Sequence, residues 1–222
     1  MNCDKNPYKI KNMFDEISQY YDFMNNCISL GTHYFIKYLS LKLLDIKQYT
    51  LILDLCCGTG DFSKIISKLS PTSKVIGLDF SAKMLKTAKQ KNPQMTFIQG
   101  DCTYLPFKDN EFDYITIGFG LRNIANRTKA ISEIYRILKP QGKFLHLDFG
   151  THNTLSRMFD LIVLSAVKLT GKNFKHYKYL LESKKDFPPP DKLIKEFEKQ
   201  RFKFIKRQDY LFGIISAQIM EK

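Results

Sequence analysis

The segment TLILDLCCGTGD, Thr50 to Asp61, decides the fold. TLILDL is a nearly continuous apolar run carrying a single carboxylate, Asp54, and it ends at a turn containing Gly58 and Gly60. A parallel strand buried on both faces reads this way. Phe62 to Leu69 then predict a helix that stops near Pro71. Working outward, the same alternation repeats. KVIGLD (Lys74 to Asp79) is a second strand, and Ser81 can cap a helix whose Met84, Leu85 and Ala88 share one face. MTFIQ (Met95 to Gln99) and FDYITIGF (Phe112 to Phe119) are further strands. A helix from Thr128 to Leu138 ends at Pro140 and Gly142, ahead of a fifth strand, KFLHLD (Lys143 to Asp148). Strands alternating with helices of this length imply an α/β fold with a parallel, doubly wound sheet.

Upstream, residues 12–46 read as helical, with Ile17, Tyr20, Tyr21 and Met24, then Leu39, Leu43 and Leu44 as apolar positions. After Gly150 the alternation stops. Thr154 to Leu169 and Pro189 to Arg201 predict amphipathic helices, and KFIKRQDY and GIISAQIM (Gly213 to Met220) two closing strands. The 222 residues form one domain: a helical lid over 1–48, a core over 49–150, and covering helices with closing strands over 151–222.

Hydrophobic residues at 44% and charged residues at 26% are ordinary for a globular protein, but the net charge of +13 is not. It suits nucleic acid or an anionic membrane and specifies neither, and the abundance of Lys, Ile, Asn, Phe and Tyr also reads as AT-rich coding. The five cysteines (Cys3, Cys27, Cys56, Cys57, Cys102) form no CxxC pair, so free thiols and no metal are expected. The N-terminus lacks the apolar stretch of a signal peptide, and Leu161 to Val167 falls far short of the roughly twenty residues that span a bilayer.

Gly58 and Gly60 let backbone approach a ligand closely, and Asp79 lies about twenty residues beyond them at a strand tip, where a carboxylate accepts both ribose hydroxyls. The third glycine of a pyrophosphate loop is missing, and Asp61 at the helix start opposes phosphate. A cationic, phosphate-free nucleoside is implied, and S-adenosylmethionine fits. Asp101 can take the adenine amino group and the backbone of Cys102 a ring nitrogen, while Asp54 can orient the loop and attract a sulfonium.

The chain resembles the ubiquinone/menaquinone-biosynthesis C-methyltransferases (UbiE/MenG), which are class I S-adenosylmethionine-dependent methyltransferases with a Rossmann-like seven-stranded sheet. The resemblance runs from Met13 to the C-terminus. It is carried by MFDEISQYYDFMN, SLGTH, DLCCGTGD, GLDFSAKML, QGDCTYLPFKDNEFDYITIGFGLRN, RILKPQGKFLHLDF, YKYLLES and FPPPDKL, of which LPFKDNEFD with FGLRN is the most specific. It implies cofactor contacts from Thr59, Asp79, the Asp101–Cys102 pair and Gly118. It also implies a prenylated quinol substrate methylated on a ring carbon. Tyr21, Asp22 and His33 fall in the lid segments of the resemblance and, with Asp148 at the end of strand five, are the candidate proton acceptors. Arg122 and Asn123 are placed to stabilise a phenolate, although Arg122 can equally anchor the lid by a buried ion pair.

Gln141 replaces the first glycine of the family's LKPGG, and Gln218 stands where many members carry a histidine. DLCC, DFS and LDF lean towards the phylloquinone branch, hence 2-phytyl-1,4-naphthoquinol, with demethylmenaquinol close behind and a benzoquinol as the alternative. The setting implied is a plastid, if the gene is plastid-encoded, or a bacterial cytoplasm. The basic charge and the Lys-rich stretch Lys168 to Lys185 suggest a peripheral membrane surface. An RNA methyltransferase is disfavoured because GFGLRN occupies the place of a [DNS]PP[YFW] segment and no Pro-Cys nucleophile exists. A non-catalytic scaffold is disfavoured because acceptors stand at every strand end.

Overall fold

The computed structural model describes residues 6–29, 31–151, 154–158, 160–161 and 174–222. Its strands are β1 (Leu51–Leu55), β2 (Lys74–Asp79), β3 (Thr96–Gln99), β4 (Phe112–Gly118), β5 (Leu138–Phe149), β6 (Lys203–Tyr210) and β7 (Ile215–Glu221). They form one seven-stranded sheet in the order β3-β2-β1-β4-β5-β7-β6. β1 to β5 pair in parallel, whereas β7 runs antiparallel between β5 and β6. The helices are α1 (Pro7–Ile17), α2 (Tyr21–Ser29), α3 (Thr32–Leu43), α4 (Asp61–Leu69), α5 (Ala82–Lys91), α6 (Arg127–Ile137), α7 (Phe174–Lys185) and α8 (Pro190–Lys199).

Alternation along each strand sends side chains to opposite faces, and both faces here are buried. Leu53, Leu55, Ile115, Ile117 and Phe144 pack with Ile131 and Ile134 of α6 and with Leu193 and Phe197 of α8. Ile52, Tyr114, Leu145 and Leu147 face the other way, against Ile36 and Leu41 of α3 and Phe62 and Ile66 of α4. Each such side chain contributes about 1.5–3 kcal/mol when fully buried, so the two apolar layers dominate over any single cap. Ser81 does cap α5, its Oγ accepting from the Met84 amide at 3.1 Å.

The segment read as helical over 12–46 is three helices. The first ends in a turn in which the Ser18 hydroxyl donates to the Asp15 carbonyl. Gly31 precedes α3 at φ +77°, a conformation open chiefly to glycine. β5 begins at Leu138, earlier than the lysine-led strand expected, and a register shift lies between Phe112 and Tyr114. Gln141 adopts φ +64° there, which accounts for glycine at this position in the family motif. The expected helix from Thr154 to Leu169 is helical over residues 154–158 and 160–161, and its remainder lies outside the described residues.

Candidate active site

The sheet order reverses between β1 and β4, and in open α/β sheets ligands bind beyond the carboxyl ends of the strands at that point. The cleft here has two lobes. One, of about 220 Å³, is lined by Asp79, Phe80, Met84, Asp101, Cys102 and Thr103. The other, of about 320 Å³, is lined by His33, Lys37, Thr59, Asp61 and Arg122, with Ile17, Ile36, Phe149 and Ile214 as apolar walls. Tyr21, Cys56, Gly58 and Gly118 border both.

The glycine loop sits between the lobes. Gly58 at φ +55° and Gly60 at φ +84° take the left-handed conformation. The Gly58 amide donates to Asp79 Oδ2 at 2.8 Å, and the Ser81 amide donates to Asp79 Oδ1 at 2.9 Å. Asp79 thus ties the loop to the end of β2, and burial raises its carboxyl above the ordinary range despite those donors. Gly118 ends β4 against the Phe62 ring, where a Cβ would come within 2.1 Å of a ring carbon. Asp101 is exposed and accepts from the Thr103 amide at 2.7 Å, whereas Cys102 behind it is buried.

Asp54 borders the larger lobe and is tied into the fold around it. It lies on the α4 side of the sheet, accepts from the Ser63 amide (2.9 Å) and hydroxyl (2.6 Å) and, through its other oxygen, from Thr116 (3.0 Å). It bolts β1, β4 and the start of α4 together. Burial lifts its carboxyl to about 6.

Beside the glycine loop the larger lobe is bordered by a charge network. Lys37 Nζ of α3 lies 2.8 Å from Asp61 Oδ2, and Lys91 Nζ lies 3.0 Å from Asp61 Oδ1 and 2.6 Å from Asp22 Oδ2. Thr59 donates to Asp22 Oδ1 at 2.5 Å. Burial would raise the Asp61 carboxyl, but the two lysines outweigh it and hold it at about 2. Asp61, expected at the helix start as a charge opposing phosphate, is therefore matched by two lysines. Neither lysine was among the sequence-derived site residues. Lys37 did leave a signal, as a lysine on the buried face of α3 beside His33, Ile36, Ser40 and Leu41.

The proton-acceptor candidates separate by environment. Tyr21 lies between the lobes, and burial pushes its phenol above the usual range. Asp22 is engaged by Lys91 and Thr59. Asp148 is fully buried, accepts from Arg122 Nη1 at 2.8 Å and from the Phe149 amide at 2.8 Å, and lines neither lobe. Among the described residues the Arg122 ion pair is with Asp148 of β5 and not with the lid, and its guanidinium is 5.1 Å from the Phe149 ring. His33 is buried, with Nε2 2.9 Å from Asn26 Oδ1 and Nδ1 without a hydrogen-bond partner among the described residues. Burial and the Lys37 charge push its imidazole down to about 4. At neutral pH it is uncharged. With Nε2–H donated to the Asn26 oxygen, Nδ1 carries a free lone pair.

Fold and cleft together define a class I S-adenosylmethionine-dependent methyltransferase architecture. The family model described as the ubiE/COQ5 methyltransferase family matches residues 2–222, and the chain belongs to that family. It is similar to the demethylmenaquinone methyltransferase of Lactiplantibacillus plantarum, at 37% identity over 97% of this chain and 96% of the relative. It is also similar to the enzyme of the same name from Anoxybacillus flavithermus, at 33% identity over 96% and 95%. Among solved structures, an S-adenosylmethionine-dependent methyltransferase of Thermotoga maritima superimposes with TM-score 0.73 at 20% identity, covering 96% of this chain and 99% of that one. The [4+2]-cyclase SpnF superimposes with TM-score 0.71 at 13% identity, covering 96% and 94%. At those identities the structural likeness carries the fold alone.

Proposed function

We propose that this chain transfers a methyl group from S-adenosylmethionine to the ring carbon of demethylmenaquinol. The observation that carries the reading is the end-to-end match to relatives named demethylmenaquinone methyltransferase. Those relatives are bacterial, which favours demethylmenaquinol over the phytylated ring of a plastid pathway and over a benzoquinol.

The cleft fits the methyl donor. The smaller lobe takes a nucleoside, with Asp79 for the ribose and Asp101 with the Cys102 amide for adenine. Two lysines facing two carboxylates suit the zwitterionic methionine end. S-adenosylmethionine supplies a methyl group on an electrophilic sulfonium. The protein holds the quinol in the larger lobe between Ile36, Phe149 and Ile214, so that positioning supplies much of the rate. His33 Nδ1 accepts the phenolic proton, and the Arg122 guanidinium stabilises the phenolate that makes the adjacent carbon nucleophilic. Incubation with methyl-labelled donor and a panel of reduced, demethylated quinones tests the reading. Label is expected in the organic phase with the naphthoquinol, and label entering only added RNA refutes it.

His33→Ala is expected to slow turnover about 100-fold or more with cofactor binding intact. Because the folded imidazole titrates near 4, the wild-type rate should stay level as pH falls through 6.5 and drop only towards 4. An acid limb near 6.5 that persists in the variant assigns the proton to another group.

The membrane surface is better placed on the lid than on Lys168 to Lys185. Part of that stretch lies outside the described residues, and Lys184 within it is buried, 2.7 Å from Asp160. On α3, Tyr34, Phe35 and Tyr38 are exposed with Lys42 on the side opposite His33, Ile36 and Ser40, and Phe23 of α2 is 67% exposed nearby in sequence. Aromatic rings with lysine suit a lipid interface. Co-sedimentation with anionic vesicles is expected to weaken with salt and with Phe35→Ser; salt-independent binding or none removes this placement.

A further inference from the structure

Cys56 and Cys102 come from different strand ends, yet their sulfurs lie 3.6 Å apart in the wall of the smaller lobe. Both are free thiols. Cys56 follows β1 at φ +52° and is partly exposed, whereas Cys102 follows β3 and is buried. Cys57, adjacent in sequence, is directed elsewhere: its amide donates to the Leu78 carbonyl, and its thiol lies 3.9 Å from the Gly58 carbonyl.

We propose that Cys56 and Cys102 are a peroxide-reactive dithiol whose disulfide shuts the smaller lobe to the methyl donor. Its consequence rests on the cofactor reading above; the chemistry does not. Cys56, the more accessible thiol, attacks one oxygen of hydrogen peroxide. An S–O bond forms, the O–O bond breaks, and the first water leaves a sulfenic acid. Cys102 then attacks that sulfur, the S–S bond forms, the S–O bond breaks, and the hydroxyl departs with the Cys102 proton as a second water. Two thiols and one peroxide become one disulfide and two waters. A disulfide is about 2.0 Å long, so the sulfurs must close by about 1.5 Å. That movement draws the loop carrying Gly58, and with it the Gly58–Asp79 hydrogen bond, towards the end of β3. On the cofactor reading above, adenine and ribose occupy the lobe that this wall borders. The nearby Cys102 thiol and burial push the Cys56 thiol upward and keep it protonated at neutral pH, so the oxidation is slow there and should quicken as pH rises.

The test uses the full chain treated with hydrogen peroxide, with and without S-adenosylmethionine. Intact mass and peptide mapping should show loss of two hydrogens and a Cys56–Cys102 link, with bound S-adenosylmethionine slowing its formation. Donor affinity by calorimetry should fall at least about 10-fold on oxidation and recover with dithiothreitol. Cys57→Ser should still form the link, whereas Cys56→Ser should not, and its affinity before and after peroxide should agree. A Cys56–Cys57 or intermolecular link, oxygen addition without a link, or unchanged affinity of the linked form overturns the proposal. Failure of the reduced wild type to bind donor strikes the cofactor reading instead, and the mapped link still reports on the dithiol.

Discussion

Asp148→Ala is expected to destabilise the protein by about 3–5 kcal/mol, read as a fall in the urea midpoint with little change in slope. Asp148 is fully buried and the Arg122 side chain is 5% exposed, so removing the carboxylate strands a guanidinium away from water. The Phe119 carbonyl, 2.5 Å from Arg122 Nη1, still accepts a hydrogen bond but cannot answer the charge. Desolvating two charges costs nearly what their attraction returns, so the intact pair is no strong stabiliser; the broken pair is the costly state. Asp148→Leu combined with Arg122→Met should therefore regain much of the lost stability while methyl transfer stays low, because Arg122 also lines the larger lobe, where the quinol is proposed to sit. The double-mutant cycle separates the two roles. An Asp148→Ala change below about 1 kcal/mol would mean that water reaches the guanidinium. Recovery of transfer in the apolar double variant would remove Arg122 from the chemistry.

The same two residues mark where the sequence was legible. Asp148 closes an apolar strand and Arg122 follows another, so both were placed at the carboxyl edge of the sheet. Their pairing was not readable, because it joins β5 to the turn after β4 across 26 positions. A buried carboxylate at one strand end looks in sequence like a ligand-binding carboxylate at another. Asp54 and Asp79 illustrate this. Asp54 stands one residue inside β1 and borders the larger lobe, but Ser63 and Thr116 donate to both of its oxygens and tie it to α4 and β4. Asp79 is the last residue of β2 and borders the cleft. The strands themselves were legible because apolar runs bounded by turns depend on local composition. The lid was legible only as helix: its two divisions, at the turn after Ile17 and at Gly31, depend on local backbone conformation, and its attachment depends on Lys37 and Lys91 reaching carboxylates on other elements.

Asp79→Ala is expected to cost about 2 kcal/mol or more in donor affinity, because the ribose placement proposed above gives Asp79 two charge-assisted hydrogen bonds that the variant would lose. That is roughly a 30-fold rise in Kd. The structure adds a second reason for a large effect. Asp79 already holds the Gly58 and Ser81 amides, so its removal frees the glycine loop as well as the ribose contact. Asp79→Asn separates these contributions, since an amide oxygen can accept one of the two amides without the charge. Its loss should fall between the wild type and the alanine variant. Asp101→Ala should cost less, about 1 kcal/mol, because Asp101 is exposed and water can replace it. Calorimetry on the three variants orders them, and the thermal stabilisation conferred by saturating donor should shrink in the same order. Equal losses at Asp79 and Asp101, or undiminished binding by Asp79→Ala, would move the ribose away from the end of β2 and with it the assignment of the smaller lobe.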